Sequence, residues 1–437
     1  MKTDKKIKVD FCIIGAGITG LWLLNHLKAL DYSVILLEKE TIGGTQTLGS
    51  QGIIHGGIKY SLQGSISSAT EAISTMPQRW RNILAGTAGN DNLNLADYPL
   101  INCPAYYLWI RNYLPKISGF FASRKLHSRL TLLDPDVTNN FTNNADQVEH
   151  KVPGFLTDRK IITKWQGRLY KLNGELVINV PLLIRVLAEK YRSCIFSTKD
   201  MKMSLIKDKS TSKQGNRDNN ADYHLCLQNH RFHYHINATQ FITAAGAGTA
   251  SILKQAGLAD NFPMQLRPLH MLMVRHPALA SNVFMHIVGW SDKPLLTITS
   301  HRLTDDDYIW YLGGNLAEQG VTMEKQILIQ RIKTLLTKYF SIDWNTALWD
   351  SFEIQRAEPA QAESIRPDQA YYQQTANLSV CWPTKLTLVP SLTDQLTAKL
   401  KKFTPSAARQ GTGRPVLDLP TPAFGLAPWE KADWARL

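Results

Sequence analysis

The amino-acid sequence predicts an α/β protein that combines a mostly parallel, helix-flanked sheet with a second region rich in antiparallel strands. Three observations predict this class. A strand–turn–helix–strand pattern opens the chain, polar stretches separate later apolar runs, and the region from about 262 to 360 is strand-rich. With 437 residues, 44% of them hydrophobic, the chain is long enough to form two domains with sizeable cores.

The N-terminal segment predicts a βαβ unit. Residues 9–14 form a short apolar run, as expected of a strand covered on both faces, and three glycines follow it. Apolar residues then recur at helical spacing over 21–30, and residues 33–37 form a second apolar strand that ends at Glu38. The pattern therefore predicts two parallel strands joined by one helix.

Helices, strands and polar loops alternate along the rest of the chain. Helices are predicted over 66–85, 181–192, 323–339 and 391–402. Strands are predicted over 194–197 and 232–243 and in 377–389, where a turn follows the strand. Surface loops are predicted at 86–98 and 138–150, a long hairpin tip or insertion at 205–221, and an extended surface tail after 404.

The net charge of the chain is compatible with several kinds of binding partner. Lys and Arg outnumber Asp and Glu by 49 to 36, which gives a formal net charge of +13. This excess fits nucleic acid, anionic lipid, an anionic substrate, or a basic surface without a partner. Nucleic acid is not favoured, but the charge does not exclude it.

The cysteine pattern predicts a reducing compartment, which we take to be the cytoplasm. Five cysteines lie far apart without CxxC spacing, which argues against a disulfide framework and against a cysteine-based zinc site, so no metal is predicted. They are Cys12, Cys103, Cys194, Cys226 and Cys381. The basic, then apolar N-terminus is unlike a signal peptide because Asp10 and the glycines interrupt it, and no apolar run reaches the length of a spanning helix.

The glycines after the first strand match the spacing GxGxxG in its expected context. Gly15 permits the tight turn, Gly17 lets the backbone approach a pyrophosphate, and Gly20 lets the helix pack against the strand. Glu38 lies 18 residues further on, where a carboxylate can accept hydrogen bonds from ribose hydroxyls. The motif predicts dinucleotide binding, and its alternative is a glycine-rich turn without a ligand.

Later segments give the chain a family resemblance. A second glycine-rich stretch at 45–57 follows Glu38, and a Thr-Ala-Ala-Gly segment at 243–246 ends a later strand. This distribution resembles the FAD-dependent oxidoreductases of the D-amino-acid oxidase / glycine oxidase superfamily. After this resemblance, we call residues 45–57 the flavin loop. Residues 54–60 are also similar to the flavin loops of FAD-dependent glycerol-3-phosphate dehydrogenases and L-2-hydroxyglutarate oxidases. Residues 382–387 resemble the loop that this family places against the flavin ring.

The resemblance implies a Rossmann-like FAD-binding domain with an interleaved substrate domain. The FAD-binding domain is expected to be discontinuous, over 1–75, 150–250 and 350–403, with a substrate domain over 76–149 and 251–349 and the tail over 404–437. The residues that the motif and the resemblance assign to FAD are Gly15, Ala16, Gly17, Ile18, Thr19, Gly20, Glu38, Lys39, Thr47, Ser50, Gln51, Gly52, Ile53, Ala245, Gly246, Thr384, Lys385, Leu386 and Thr387.

Arginines are the first candidates on the substrate side. The family grips substrate carboxylates with arginine, whose planar fork matches them bidentately. Arg356 or Arg366 can fill this role, and the alternative is a structural salt bridge with Glu358 or Glu363.

Two histidines are further catalytic candidates. His55 lies in the flavin loop, where it can pack near the flavin ring, act as a general base, or be an ordinary core histidine. His270 begins the strand-rich region and is either an acid/base group or a packing residue.

Taken with the resemblance, these residues predict an FAD-dependent oxidase or dehydrogenase. We expect it to oxidise a small amine or alcohol that bears a carboxylate or phosphate, by hydride transfer to flavin N5, and to pass electrons to oxygen or a quinone. A flavoenzyme acting on a tRNA base and a non-catalytic flavin-binding partner protein are the alternatives. Basic and aromatic residues mix over 106–129, which can lie on the inner face of a membrane, cap a substrate site, or form a solvated face.

Overall fold

The computed structural model describes eleven stretches of the chain, and the strands and helices below are those within them. The described residues are 3–57, 73–87, 93–110, 130–133, 168–207, 222–279, 283–288, 294–304, 307–362, 367–400 and 417–436. The strands are β1 (Thr3–Ile14), β2 (Val34–Glu38), β3 (Ile53–Ile54), β4 (Ile101–Cys103), β5 (Tyr106–Ile110), β6 (Leu130–Leu133), β7 (Arg168–Leu172), β8 (Leu176–Ile178), β9 (Ile195–Ser197), β10 (Lys202–Lys207), β11 (Tyr223–Gln228), β12 (Phe232–Thr243), β13 (Met264–Arg275), β14 (Met285–Val288), β15 (Pro294–Thr304), β16 (Asp307–Gly313), β17 (Leu348–Pro359), β18 (Tyr371–Thr375) and β19 (Leu378–Trp382).

Helices are fewer than strands in the described residues. The α-helices are α1 (Ile18–Ala29), α2 (Gly44–Leu48), α3 (Met76–Leu84), α4 (Val180–Lys190), α5 (Thr249–Gln255), α6 (Asn315–Gln319), α7 (Lys325–Leu336) and α8 (Val389–Leu400). Short 3-10 helices are formed by Arg192–Cys194, Gly246–Gly248, Ala259–Asn261, Gly320–Thr322, Leu386–Leu388 and Pro428–Glu430.

The first sheet is built on the N-terminal βαβ unit. Strands β9, β2, β1, β12 and β19 are parallel neighbours in that order, and β10, β11 and β18 join them antiparallel. β12 pairs with β11 along its first half and with β19 at its end, so the sheet divides into two branches beyond β12. Both faces of β1 are buried from Val9 onward: Ile13 packs with α1, α4 and α8, and Cys12 packs in a cluster that includes α5.

The second sheet is almost wholly antiparallel. Its order is β17-β13-β16-β15-β14-β5-β7-β6, and only the pair β14–β5 is parallel. Helix α7 covers one face, where Leu328 and Ile332 join a cluster with Leu272 and Trp310 of the sheet. The opposite face carries Met271, which lines the main cavity. The flavin loop contains β3, which belongs to a separate three-stranded sheet of order β3-β8-β4.

The C-terminal residues connect the two large sheets. Ile42, which follows β2, exchanges backbone hydrogen bonds with the segment 423–425, and Trp349 of β17 does so with Ala435. The predicted extended tail therefore has little regular structure within 417–436, but it does not stay on the surface, because Ala427 and Trp429 are buried.

Most predicted elements are found close to their expected positions. The βαβ unit, the helix near 181–192, the helix near 323–339 and the helix near 391–402 are all formed. β10 and β11 pair antiparallel on either side of the predicted hairpin tip or insertion at 205–221. Residues 208–221 and the loop predicted at 138–150 lie outside the described residues. Of the helix predicted over 66–85, the structure describes residues 73–85, which include α3.

Two strands join segments of the predicted FAD-binding domain to the second sheet. β7 and β17 lie in segments assigned to the FAD-binding domain, yet both pair within the second sheet. The reason is that a strand's own sequence specifies its burial and alternation but not its partner, which depends on distant segments.

The basic segment 106–129 is only partly described. Its first five residues form β5, which is buried on both faces, and residues 111–129 lie outside the described residues. Among the helices that the structure describes, none has the length and apolar character needed to cross a bilayer.

Candidate active site

A cavity of about 760 Å³ is lined by residues of both large sheets. Its wall includes the carboxyl ends of β1 and β12, the flavin loop, the facing strands β13 and β17, and the segment 381–387. In open α/β sheets, ligands bind beyond the carboxyl ends of the parallel strands, and this cavity lies at that edge.

The turn after β1 requires glycine for steric reasons. Gly15 has φ +108°, and a Cβ built on it would lie 2.7 Å from the Ala244 carbonyl oxygen. A Cβ on Gly20 would lie 1.9 Å from the Gly15 carbonyl oxygen. Helix α1 therefore approaches the turn more closely than any residue with a side chain at position 20 would permit. The two glycines thus bring α1, which begins at Ile18, to the cavity wall, where its N-terminus favours a phosphate group.

Glu38 ends β2 at the same edge of the sheet. Its Oε2 accepts a hydrogen bond from the Ala16 backbone N–H at 2.6 Å, and its Oε1 accepts one from the Glu40 N–H at 2.8 Å. These bonds hold the carboxylate in the cavity wall, where it can also accept hydrogen bonds from a ribose.

The flavin loop is fastened to both sheets. The Thr47 hydroxyl accepts a hydrogen bond from the Ile18 N–H at 3.1 Å, which joins the loop to the start of α1. On the other side, the Gln51 side-chain amide donates to the Tyr311 carbonyl at 3.0 Å, and the Tyr311 hydroxyl donates to the Gly49 carbonyl at 2.7 Å. Because Tyr311 is fully buried, its pKa is raised well above its ordinary value, and the hydroxyl stays protonated as a donor.

Thr387 joins the end of the flavin loop to residues 382–387, which we call the C-terminal loop. Its hydroxyl accepts a hydrogen bond from the His55 N–H at 3.2 Å and donates one to the Ile53 carbonyl at 3.3 Å. Glu175 adds a second tie, since its Oε1 accepts a hydrogen bond from the Gly56 N–H at 2.8 Å. His55 is buried, and it lines the cavity together with Thr387.

The C-terminal loop brings a lysine into the cavity wall. Thr384 has φ +60°, which turns the chain just before Lys385. The Lys385 side chain is 8% exposed, and its Nζ lies 3.6 Å from Asp368 Oδ1. The neighbouring Cys381 is not a nucleophile candidate, because burial raises the pKa of its thiol far above the ordinary value.

A cluster of two arginines and two glutamates borders the cavity on β13, β17 and α6. Arg267 and Arg356 are cross-strand neighbours, and Arg356 Nε donates to the Arg267 carbonyl at 3.3 Å. Arg267 pairs closely with the buried Glu358, whereas Arg356 Nη2 lies 3.5 Å from Glu318 Oε1. The sequence predicted Arg356 as a substrate residue and did not single out Arg267 or Glu318.

The structure does not bring His270 to the cavity. Its neighbours Leu269 and Met271 line the cavity, so strand alternation turns the His270 side chain to the other face of β13. There its ring nitrogens lie 3.1 Å from the Gly320 carbonyl and 2.9 Å from the Ser351 hydroxyl. This placement favours the packing alternative for His270 over the acid/base alternative. Arg366 lies outside the described residues.

Most of the residues predicted to bind the cofactor lie in the wall of this one cavity. Those that line it are Gly15, Gly17, Ile18, Thr19, Glu38, Lys39, Thr47, Ser50, Gln51, Ile53, Ala245, Gly246, Thr384, Lys385, Leu386 and Thr387. Ala16, Gly20 and Gly52 do not line the cavity. Ala16 contributes its backbone N–H to Glu38, and the two glycines permit close backbone approaches. A Cβ on Gly52, for example, would lie 2.3 Å from the Ile178 carbonyl oxygen.

These residues fit a flavin dinucleotide. The glycine turn and the start of α1 leave room for a pyrophosphate, Glu38 suits a ribose, and the flavin loop and the C-terminal loop form an adjoining wall for a ring. The fold and the site thus define a dinucleotide-binding α/β protein.

The comparisons with known proteins agree with this class. The family model described as DAO, FAD dependent oxidoreductase, matches residues 10–192. A probable FAD-dependent oxidoreductase of Pseudomonas aeruginosa, PA4991, is 34% identical over 430 residues, which cover 98% of each chain. Its crystal structure is similar with a TM-score of 0.73, at 30% identity and 98% coverage of each chain. Glycine oxidase from Geobacillus kaustophilus has a TM-score of 0.55 at 13% identity, covering 90% of this chain and 94% of its own.

The chain belongs to the DAO family of FAD-dependent oxidoreductases. The predicted resemblance, the α/β fold class, the assignment as an oxidoreductase and FAD as the cofactor are confirmed.

Proposed function

We propose that this flavoenzyme oxidises a small amine that also carries a carboxylate, such as an amino acid. The observation that carries the proposal is the charge cluster in the cavity wall, where Arg267 and Arg356 stand beside Glu318. A guanidinium binds a carboxylate, and a carboxylate binds an ammonium, so this wall offers a partner to each end of a zwitterion.

The balance of charge in the cluster supports a zwitterion over a phosphate. Two arginines face two glutamates, so the four groups carry no net charge when all are ionised. A phosphate dianion brings two negative charges and needs a surplus of cations, whereas a zwitterion is electrically neutral. Glu358 is only 2% exposed and pairs with Arg267. Glu318 lies nearer to Arg356, at 3.5 Å, than to Arg267, at 3.9 Å, so Arg356 and Glu318 are the pair that would exchange partners.

The geometry of the Arg356–Glu318 pair also supports exchange. Its closest N–O distance of 3.5 Å is longer than that of a charge-assisted hydrogen bond. A substrate carboxylate can form a shorter bidentate contact with Arg356 while its ammonium approaches Glu318. The side chains of both residues are less than one-fifth exposed, so these contacts form in a poorly solvated site, where they are stronger than at the surface.

The cofactor would be held by the glycine turn, Glu38, the flavin loop and the C-terminal loop. When bound, FAD supplies the acceptor for the hydride that leaves the substrate C–H bond, and its electrons pass on to oxygen or a quinone. Apolar side chains of β13 and β17, among them Leu269, Met271 and Ile354, line the cavity and exclude water from the substrate carbon. His55 lies in the flavin-loop wall, where its ring can pack against the cofactor or move a proton.

Anaerobic reduction of the bound flavin tests the proposal. The protein is mixed without oxygen with a panel of amino acids, with the matching amines that lack the carboxylate, with the matching 2-hydroxy acids, and with glycerol 3-phosphate. The proposal predicts that an amino acid bleaches the flavin absorption at least ten times faster than its two analogues and glycerol 3-phosphate. Faster reduction by a hydroxy acid or by glycerol 3-phosphate would contradict it.

A further inference from the structure

A group of side chains of the types that bind metals lies near the amino-terminal ends of β1 and β12, away from the cavity. Cys226 of β11 pairs directly with His235 of β12, and Asp4 of β1 pairs directly with His233 of β12. His233 and His235 are two residues apart on one strand, so their side chains share one face of the sheet. None of the four residues lines the active-site cavity.

Their side chains converge on one small volume. One ligand atom from each of Cys226, His233 and His235 can be chosen so that all three lie within 4.8 Å of one another. The Cys226 Sγ lies 3.5 Å from His235 Nδ1, and the two imidazole rings have centroids 4.2 Å apart. Metal–ligand bonds of about 2.0–2.3 Å place the donors of a tetrahedral zinc ion about 3.3–3.8 Å apart, so small movements of these side chains would complete the spacing.

Asp4 supports the two histidines from the neighbouring strand. Its Oδ1 lies 3.4 Å from His235 Nε2 and 3.7 Å from His233 Nδ1. A carboxylate on the far nitrogen of a ligating imidazole fixes the tautomer and orients the ring, which is the arrangement found in carboxylate–histidine–zinc sites. With His235 Nδ1 directed to the thiol and Nε2 to Asp4, His235 already has this geometry.

We propose that Cys226, His233 and His235 bind a divalent transition-metal ion, with Zn²⁺ as the best match and Asp4 as the positioning carboxylate. Thiolate and imidazole donors together select zinc over magnesium or calcium, which prefer oxygen ligands. Three protein ligands leave one tetrahedral position for water or another small ligand. The metal would connect β11, through Cys226, with β12, through the two histidines, and Asp4 would link this site to β1.

Two groups disfavour metal binding, and they determine the pH and salt concentration of the titration. Lys6 pairs with His235 on the same face, but it is exposed, so solvent and salt screen its repulsion. The Cys226 thiol must also lose its proton, and burial together with the nearby Asp4 carboxylate raises its pKa. The titration is therefore done at mildly alkaline pH and moderate salt, where both costs are small.

Cobalt titration of the untagged, FAD-loaded protein tests the proposal. Co²⁺ is added in sub-stoichiometric steps, and its visible absorption is followed to the red of the flavin bands, after which Zn²⁺ is added as competitor. We expect tetrahedral cobalt absorption that saturates at one equivalent per chain and disappears when zinc is added. Absence of that absorption at one equivalent, or saturation at several equivalents, would overturn the proposal.

Two variants test the site, and a third is the control. Cys226→Ser should abolish stoichiometric binding, and Asp4→Asn should weaken the affinity about 10- to 100-fold without changing the stoichiometry. His230→Ala is the matched control, because this exposed histidine lies in the turn between β11 and β12 and is not part of the cluster. Each variant is first checked for unchanged flavin absorption and circular dichroism. Wild-type zinc affinity in a correctly folded Cys226→Ser protein would refute the assignment.

Discussion

The substitution Gly20→Ala should disable cofactor binding although Gly20 does not line the cavity. A Cβ at this position would lie 1.9 Å from the Gly15 carbonyl oxygen, which is about 1.1 Å inside the 3.0 Å limit that real Cβ contacts respect. The clash is between α1 and the turn that carries the pyrophosphate, and neither is a flexible side-chain end. Relief therefore requires a backbone shift of about 1 Å, which by overpacking costs about 1–3 kcal/mol or more. If this cost falls on the conformation that binds FAD, it raises the Kd for FAD about 5- to 150-fold.

The assay is FAD titration of the deflavinated protein, followed by flavin fluorescence and paired with thermal unfolding. Gly248→Ala is the control, because Gly248 also lines the cavity but a Cβ there would meet its nearest atom at 3.5 Å. We expect a large rise in the Kd for FAD and a lower Tm for Gly20→Ala, and wild-type values for Gly248→Ala. Wild-type FAD affinity in Gly20→Ala would refute the close packing of α1 on the turn.

Two further predictions concern stability and its pH dependence. Thr387→Val leaves the buried His55 N–H without its hydroxyl acceptor, so the free energy of unfolding should fall by about 1–3 kcal/mol in denaturant titration, whereas Thr334→Val at an exposed helix position should change it little. His301 is buried, and its ring stacks on Trp429. Burial lowers the pKa of His301 from its ordinary value of 6.5 to about 3. Between about pH 3 and pH 6.5, therefore, only the unfolded state binds a proton at this residue. Stability should therefore fall as the pH drops below about 6.5, by about 1.4 kcal/mol per pH unit from this group, and His301→Gln should remove that part of the slope in Tm measurements between pH 5 and pH 7.

The cofactor half of the site was predictable because its signals are local. Gly15, Gly17 and Gly20 lie within six residues. Backbone contacts of a single turn require glycine at Gly15 and Gly20, whereas a Cβ on Gly17 would meet the Thr47 hydroxyl at 3.2 Å. Glu38 is placed by the length of one helix and one strand. Predictions from local signals of this kind hold in the structure because they do not depend on which distant strands become neighbours.

The substrate half was less predictable because it depends on strand pairing. Arg267 becomes part of the cluster only because β13 and β17 pair in the register that sets it beside Arg356. The same alternation turns His270 away from the cavity, and a shift of one residue would reverse both outcomes. The cluster of Cys226 with His233 and His235 was missed for the same reason, since cross-strand neighbours leave no CxxC spacing in the sequence.

Carboxylate binding by Arg356 tests the central proposal most directly. Acetate, an unreactive carboxylate, is titrated into the FAD-loaded protein and followed by the change in flavin absorption, with inorganic phosphate titrated in parallel. Charge-assisted hydrogen bonds of about 1.5–3 kcal/mol predict that Arg356→Met raises the Kd for acetate about 10- to 150-fold, while the exposed control Arg231→Met keeps the wild-type Kd. Equal acetate affinity in Arg356→Met and wild type, or tighter binding of phosphate than of acetate, would contradict the proposed substrate class.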